Sequence, residues 1–339
     1  MKKKVLLIRL DKIGDLISTL CVDQVDFLQD CDVRWVIAQG LSFVPENSSP
    51  RRTYLELSKT DVSTSLAILR KFLKEFKPDV VVSFQAPWWV NYALWREGIE
   101  TRVGVQSQWH SFLFLNRGLR QKRSQAVQHE ADYNLELLEY AFSRPAARTQ
   151  ISRAPVLKLE APVIAGLLEQ YHLSPQQYAV VHPGMAGSAL NWPVGNYIRL
   201  IEALVQSTPV VLTGTPADEP WLKEIKEKFK DHPKVKCLQN KLNTSELLWV
   251  LKNARVVIVP STGVAHLAAS LGTPVFGIYS HVRVQKPLRW AARGSRVHIF
   301  EAPTRNESGG SCDGERCEEF HCMEKIRVED LLQQFSALD

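Results

Sequence analysis

The feature that most constrains this chain is a rhythm: short apolar runs alternate with amphipathic ones along nearly its whole length. Lys4–Arg9 reads as a strand and Gly14–Leu28 as a helix. Strands follow at Val33–Ala38, Asp79–Phe84 and Thr101–Val105, with helices at Ser65–Phe76, Trp88–Arg96 and Glu130–Phe142. The second half repeats the pattern. Strands are expected at Tyr178–His182, Pro209–Thr213, Val235–Leu238, Arg255–Val259 and Pro274–Tyr279. Helices are expected at Gly195–Gln206, Glu219–Phe229, Gly263–Leu271 and Ile326–Phe335. Asn243, with Glu246 three residues on, predicts a reciprocally capped helix between them. Strands that alternate with helices call for a parallel sheet covered on both faces.

A chain of 339 residues is too long for one ordinary core and suits two. Ala154–Pro162 carries two prolines and no period, so the linker is placed there. The expected division is 1–155, an N-terminal Rossmann-like domain, and 163–325, a C-terminal Rossmann-like domain. Residues 326–339 are expected to form a helix that packs back on the N-terminal domain. The fold class is α/β, with two Rossmann-like doubly wound domains facing a cleft. Ligands of such sheets sit outside the carboxyl ends of the strands, so each loop after a strand is a candidate site element.

Composition narrows the function. Hydrophobic residues make up 45% and charged residues 23%, as in a globular protein. The net charge of +6 suits an anionic small substrate or membrane surface, but the basic residues are scattered and no groove-reading motif accompanies them, so no nucleic acid is expected. MKKKVLLIRLDK mimics a signal peptide, yet its apolar run ends at Arg9 and Asp11. No stretch is long enough to span a bilayer. The expected location is cytoplasmic, at most peripheral on the cytoplasmic face of the inner membrane. Of six cysteines, Cys21, Cys31 and Cys237 read as dispersed buried thiols. Cys312, Cys317, His321 and Cys322 form a weak zinc candidate whose spacing lies outside the usual short pairs.

Four loops can carry chemistry. In Arg9-Leu10-Asp11-Lys12-Ile13-Gly14-Asp15, Gly14 allows a sharp turn and Asp15 stands at a helix start. A carboxylate there can take a proton from an attacking hydroxyl, or merely cap the helix. The loop lacks the GxGxxG dinucleotide fingerprint. In His182–Pro193, Gly184 and Gly187 permit close backbone approach to a diphosphate and Ser188 adds a hydroxyl. That loop is long for a plain connection. After Thr213-Gly214, Glu219 can accept two bonds from a ribose diol, or with Asp218 simply favour a helix N-terminus. Ser261, Thr262 and Gly263 open a further helix whose N-terminus is an anion site, with His266 one turn in. The apolar Trp109–Leu115 runs into Arg117, Arg120, Lys122 and Arg123, a segment suited to an anionic lipid surface or a phosphorylated acceptor, or to a buried element followed by a solvated loop.

VLLIRLDKIGD, VVHPGMAGSALNWP and STGVAHLAASLGTP, in this order, resemble the glycosyltransferase family 9 heptosyltransferases. The resemblance extends to His129–Asn134 and to Cys322–Ile326 and so spans nearly the whole chain. It implies the GT-B fold, with the acceptor bound by the N-terminal domain 1–155 and the nucleotide sugar by the C-terminal domain 163–325, and inverting transfer of a heptose from an ADP-sugar to a lipopolysaccharide core or related cell-envelope glycan. It implies a nucleotide-sugar co-substrate, with no cofactor and no metal, and a lipid-linked glycan acceptor. Asp15 matches the catalytic base. Gly184, Gly187, Ser188, Gly214, Glu219, Ser261, Thr262, Gly263 and His266 become the donor-binding candidates. Lys12, Gly14, Arg120 and Arg123 become the acceptor-binding candidates. Two positions depart from the family pattern: Leu190 stands where many members have Lys, and Ser261 where many have Asp. Diphosphate stabilisation then falls to backbone N–H groups, Ser188, Thr262 and His266. The alternatives are a sugar-nucleotide epimerase or hydrolase of similar build, and a non-catalytic nucleotide-sugar-binding relative.

Overall fold

The structure is a computed structural model and describes residues 2–144, 152–185, 187, 189–304 and 321–338. Two compact units emerge. One comprises 1–123 and 127–157, the other 124–126 and 158–339, and the main change of unit lies within the Ala154–Pro162 stretch.

The first unit is built on six parallel strands: β1 (Lys4–Arg9), β2 (Asp32–Ala38), β3 (Tyr54–Leu57), β4 (Val80–Gln85), β5 (Thr101–Val105) and β6 (Arg117–Leu119). Their order in the sheet is β3-β2-β1-β4-β5-β6, and every pairing is parallel. β1 is the first strand out of the apolar pattern, and Val5 to Ile8 are fully buried between the layers. The helices are α1 (Ile13–Leu20), α2 (Val62–Phe76), α3 (Trp88–Arg96), α4 (Trp109–Phe114) and α5 (Glu130–Ala141). Leu69, Leu73 and Phe76 of α2 pack with Leu6, Ile8 and Val36 of the sheet in one core.

The helix expected over Gly14–Leu28 stops at Leu20 and continues as short 3₁₀ turns. In that segment Asp23 accepts bonds from the Trp35 indole at 2.9 Å and from Arg52 at 2.7 Å. β3 and β6 are short, and Trp109–Leu115 is helical at its start, elements that the apolar pattern alone left unassigned.

The second unit repeats the design with β7 (Ala179–Val181), β8 (Val210–Leu212), β9 (Val235–Cys237), β10 (Val256–Pro260), β11 (Val275–Tyr279) and β12 (Val297–Glu301). Their order is β9-β8-β7-β10-β11-β12, again all parallel. The helices that cover it include α6 (Val194–Leu204), α7 (Glu219–Lys228), α8 (Thr244–Lys252), α9 (Gly263–Ser270) and α10 (Val328–Ser336). The capping box at the start of α8 forms, with Glu246 N–H donating to Asn243 at 3.0 Å and Asn243 N–H to Glu246 at 2.8 Å.

One expectation is corrected. The final helix, expected to return to the N-terminal domain, packs on α6 of the second unit. Its Leu331 and Phe335 are buried in that unit's core, and Arg255 lies over the Phe335 ring at 4.4 Å. An amphipathic helix takes the nearest apolar face that can bury its stripe. Cys31 and Cys237 are partly exposed rather than buried, while Cys21 is buried as expected; Cys322 is partly exposed. Cys312 and Cys317 lie outside the described residues, among which no group of three or more His, Cys, Asp or Glu side chains could hold a metal ion.

Candidate functional site

Both sheets change direction of winding at their first strand. β1 lies between β2 and β4, and β7 lies between β8 and β10. In such a sheet the connections on either side of the switch strand diverge and leave a crevice at the carboxyl edge. The loop after β1 carries Asp11 and leads into the first turn of α1, which carries Asp15. The loops after β7 and β10 carry Gly184, Gly187, Ser261 and Thr262.

In the first unit the crevice contains a charge network around Arg9. Arg9 ends β1, is 1% exposed, and points its guanidinium into the loop that follows. It hydrogen-bonds Asp15, contacts Asp11 at 2.9 Å and reaches Glu130 of α5 at 3.5 Å. Glu130 is fully buried and is also bonded by Arg123. Arg123 donates to Gln121 at 2.8 Å and to Asn134 at 3.1 Å. Asn134 in turn donates to the Ser18 carbonyl of α1 at 3.1 Å. On the solvent side Lys59 meets Asp11 at 3.2 Å.

Asp15 is therefore not a helix cap. Lys12 occupies the N-cap position, and the Asp15 carboxylate goes to Arg9. Burial raises its pKa above the ordinary carboxylate range. Arg9 opposes that shift, but Asp11 and Glu130 add to it as like charges. The side chain stays 22% exposed, enough for a substrate proton to reach it. Gly14 lies in the first turn of α1 without a left-handed angle, so it does not supply the sharp turn expected of it. Lys12 and Arg120 are exposed, and Arg120 stacks over Phe112 at 5.7 Å. Arg123 joins the Arg9 network through its bond to Glu130.

In the second unit the loop after β7 is anchored at its far end. Trp192 is 1% exposed, donates its indole N–H to the Ile326 carbonyl at 3.0 Å and meets Tyr197 edge-on. Asn191 donates to the Pro183 carbonyl at 2.7 Å and so ties the two ends of the loop together. Leu190 packs on the core, and its N–H donates to Gln285, which also accepts from Ser280. Ser188 lies outside the described residues.

The two glycines of this loop serve different purposes. A Cβ on Gly184 would stand 2.1 Å from Asp218 Cγ, so the position must be glycine for Asp218 to pack there. Gly187 has φ +70° with open space around it, so it serves a turn and leaves its backbone accessible. Asp218 is buried and accepts from both the N–H and the hydroxyl of Thr215 at 2.8 Å. A Cβ on Gly214 would meet Leu222 at 2.5 Å. His182 is buried against Thr213 at 3.0 Å, and burial pulls its pKa down to about 4 although Asp218 opposes the shift.

Glu219 is half-exposed, and its carboxylate is engaged: Lys226 donates at 2.8 and 2.6 Å and Gln239 at 3.0 Å, which lowers its pKa. A ribose diol there would share the carboxylate with Lys226. Thr262 is the N-cap of α9 and makes no side-chain cap bond, and Gly263 is the first helical residue. His266 is buried one turn further. The loops after β7 and β10, on adjacent strands, therefore bring Gly184, Gly187, Ser261, Thr262 and Gly263 to one edge. Glu219 follows the loop after β8, the strand on the other side of β7. Sequence reasoning missed Arg9, Glu130 and Asp218 as site elements. A single cation closing a buried apolar strand was the available signal for Arg9; for Glu130 it was its place in the His129–Asn134 segment, 121 positions from Arg9.

Comparison with known proteins bears on the fold and the family. The family model described as glycosyltransferase family 9 (heptosyltransferase) matches residues 66–316. The lipopolysaccharide core heptosyltransferase OpsX of Haemophilus influenzae is 23% identical over 357 residues, covering 99% of this chain and 97% of the relative. Among solved structures, a family 9 glycosyl transferase from Veillonella parvula superposes with a TM-score of 0.77 at 16% identity, covering 99% of this chain and 97% of that one. The ADP-heptose lipopolysaccharide heptosyltransferase II of E. coli superposes with a TM-score of 0.75 at 17% identity, covering 100% and 98%. These two likenesses give the fold, GT-B.

Proposed function

Since the chain belongs to glycosyltransferase family 9 (heptosyltransferase), we propose that it transfers a heptose, with inversion, from an ADP-activated donor to a lipopolysaccharide core or related cell-envelope glycan. The donor and acceptor are those named for its relatives. The observation that carries the reading is Asp15: a half-buried carboxylate at the switch point of the first sheet, oriented by Arg9 and held above the ordinary carboxylate range. A base of raised pKa is better matched to a hydroxyl proton near neutral pH than an ordinary carboxylate.

In the proposed step the acceptor hydroxyl oxygen bonds to the anomeric carbon and its proton passes to Asp15. The bond from that carbon to the diphosphate oxygen breaks, and the electron pair leaves with ADP. The departing charge is stabilised by N–H groups at the start of α9, with Thr262 beside them. Arg9 keeps Asp15 aimed and offsets its charge. Leu190 is uncharged and packs on the core, so the diphosphate receives no cation from this position. The place of work is the cytoplasmic side of the cell envelope. Among the described residues no helix is long and apolar enough to cross a membrane.

The test is a product assay with ADP-, UDP- and GDP-sugars, each with and without a core-oligosaccharide acceptor. ADP-heptose consumed only with acceptor, and not by Asp15→Ala, supports the reading. Donor consumed without acceptor would instead identify an epimerase or hydrolase. Nucleotide binding without any turnover would identify a non-catalytic relative.

A further inference from the structure

α3 and α4 leave a large apolar face uncovered. Among the described residues, all the exposed large Trp and Phe side chains lie on these two helices: Trp88, Trp95, Trp109 and Phe112. Leu113 joins them, and it and Trp109 are 64% and 61% exposed. The rings are locked together, so the face is rigid. Tyr92 lies 6.4 Å from Trp88, 6.0 Å from Trp95 and 5.7 Å from Phe114. Phe114 in turn touches Trp95 at 5.7 Å and Trp109 at 6.3 Å. A contiguous patch of this kind on a soluble chain marks a contact surface.

The charge around the face identifies the partner. Between Trp109 and Gln128 the sequence holds Arg117, Arg120, Lys122 and Arg123 and no acidic residue. Arg96, at the end of α3, and Arg120, stacked on Phe112 at 5.7 Å, are exposed beside it, and Lys122 is exposed two residues on; Arg117 and Arg123 turn instead to α5, and Glu97, which follows α3, is paired with Arg70 and Lys74. Trp rings with basic side chains beside them match the headgroup layer of a membrane, where the ring is amphipathic and the cation meets phosphate. Neither signal alone anchors a protein firmly, but two together do.

We propose that α3 and α4 form a docking face for an anionic lipid bilayer. Both helices follow strands, β4 and β5, whose carboxyl ends lie on the edge that carries the Asp15 loop. Docking through this face holds that edge at the membrane surface. The inference goes beyond the transfer reading and is read without nucleotide sugar, so either can fail alone.

The experiment is co-sedimentation of the full chain with vesicles of phosphatidylcholine alone or mixed with phosphatidylglycerol, at low and high salt. Wild type should pellet with the anionic vesicles, less at high salt, and not with phosphatidylcholine alone. The combined variant Trp109→Ser, Phe112→Ser, Leu113→Ser changes only exposed side chains. It should keep its melting curve and bind at least about tenfold more weakly. Arg96→Gln with Lys122→Gln should weaken binding and reduce its salt dependence. Wild type that never pellets, or an apolar variant that pellets like wild type, overturns the proposal. Wild type that self-associates without lipid while the apolar variant stays monomeric assigns the face to a second copy and also overturns it.

Discussion

Gly184→Ala is the sharpest probe of the donor-side loop. The added methyl would stand 2.1 Å from Asp218 Cγ, 2.2 Å from Oδ1 and 2.4 Å from Cβ. Non-bonded carbons settle near 3.5 Å, so the backbone at 184 and Asp218 must separate by about 1.4 Å. Asp218 cannot simply rotate away, because it is buried and holds the Thr215 N–H and hydroxyl, both at 2.8 Å. Overpacking of this kind costs about 1–3 kcal/mol, and losing the cap adds about 1 kcal/mol. The second unit should therefore lose about 2–4 kcal/mol, and its melting temperature should fall by roughly 5–15 °C. Calorimetric titration should show ADP binding weakened at least about tenfold, since a shift of this size moves the loop N–H groups off the phosphates. Asp218→Gly removes the obstructing side chain, Cβ included. In the double variant the cost of Gly184→Ala should drop by about 1–2 kcal/mol, a coupling that only direct contact produces. A single variant that melts within about 1 °C of wild type, or a double variant with additive costs, would refute the packing argument.

Further outcomes follow from the same contacts. Asp15→Asn should lower kcat by about 10²–10⁴ with ADP affinity unchanged, and a fall in affinity alone would place Asp15 in binding rather than in proton transfer. Because Asp15 is held above the ordinary carboxylate range, activity should fall on acidification before an ordinary carboxylate would titrate; Glu130→Gln removes a like charge, so this acid limb should move to lower pH. His182 is neutral when folded, with its pKa at about 4, but takes a proton near pH 6.5 when unfolded. The unfolded chain then binds more protons between these values, so stability should fall by up to about 3 kcal/mol as pH drops through that window, and His182→Gln should flatten the profile in urea melts. Trp192→Ala removes a buried indole and leaves the Ile326 carbonyl without that donor, and should cost about 3–5 kcal/mol in denaturant unfolding.

Much of this molecule was written in local sequence. Apolar runs bounded by glycine and polar loops announced the buried strands β1, β4, β7, β10 and β11, because a parallel strand covered on both faces must be apolar throughout. Asn243 and Glu246 announced their helix start, because a capping box is complete within four residues. Of the edge strands, β9 was legible but β3, β6 and β12 were not. These three have few fully buried positions, and their pairing is decided by the neighbouring strand.

The site divides in the same way. That the loops after β1, β7 and β10 face a crevice followed from the alternation of strand and helix. The environment of Asp15 did not, since Glu130 and Arg123 come from more than a hundred positions away and meet Arg9 only when α5 packs on the sheet. Gly184 shows the distinction most directly. Its place in a glycine loop suggested room for a phosphate, whereas folding fills that room with Asp218 and leaves Gly187 as the open backbone. Local sequence determines where the chain turns and which faces seek burial; charge environments and steric neighbours are set by contacts between distant segments, which exist only in the folded chain.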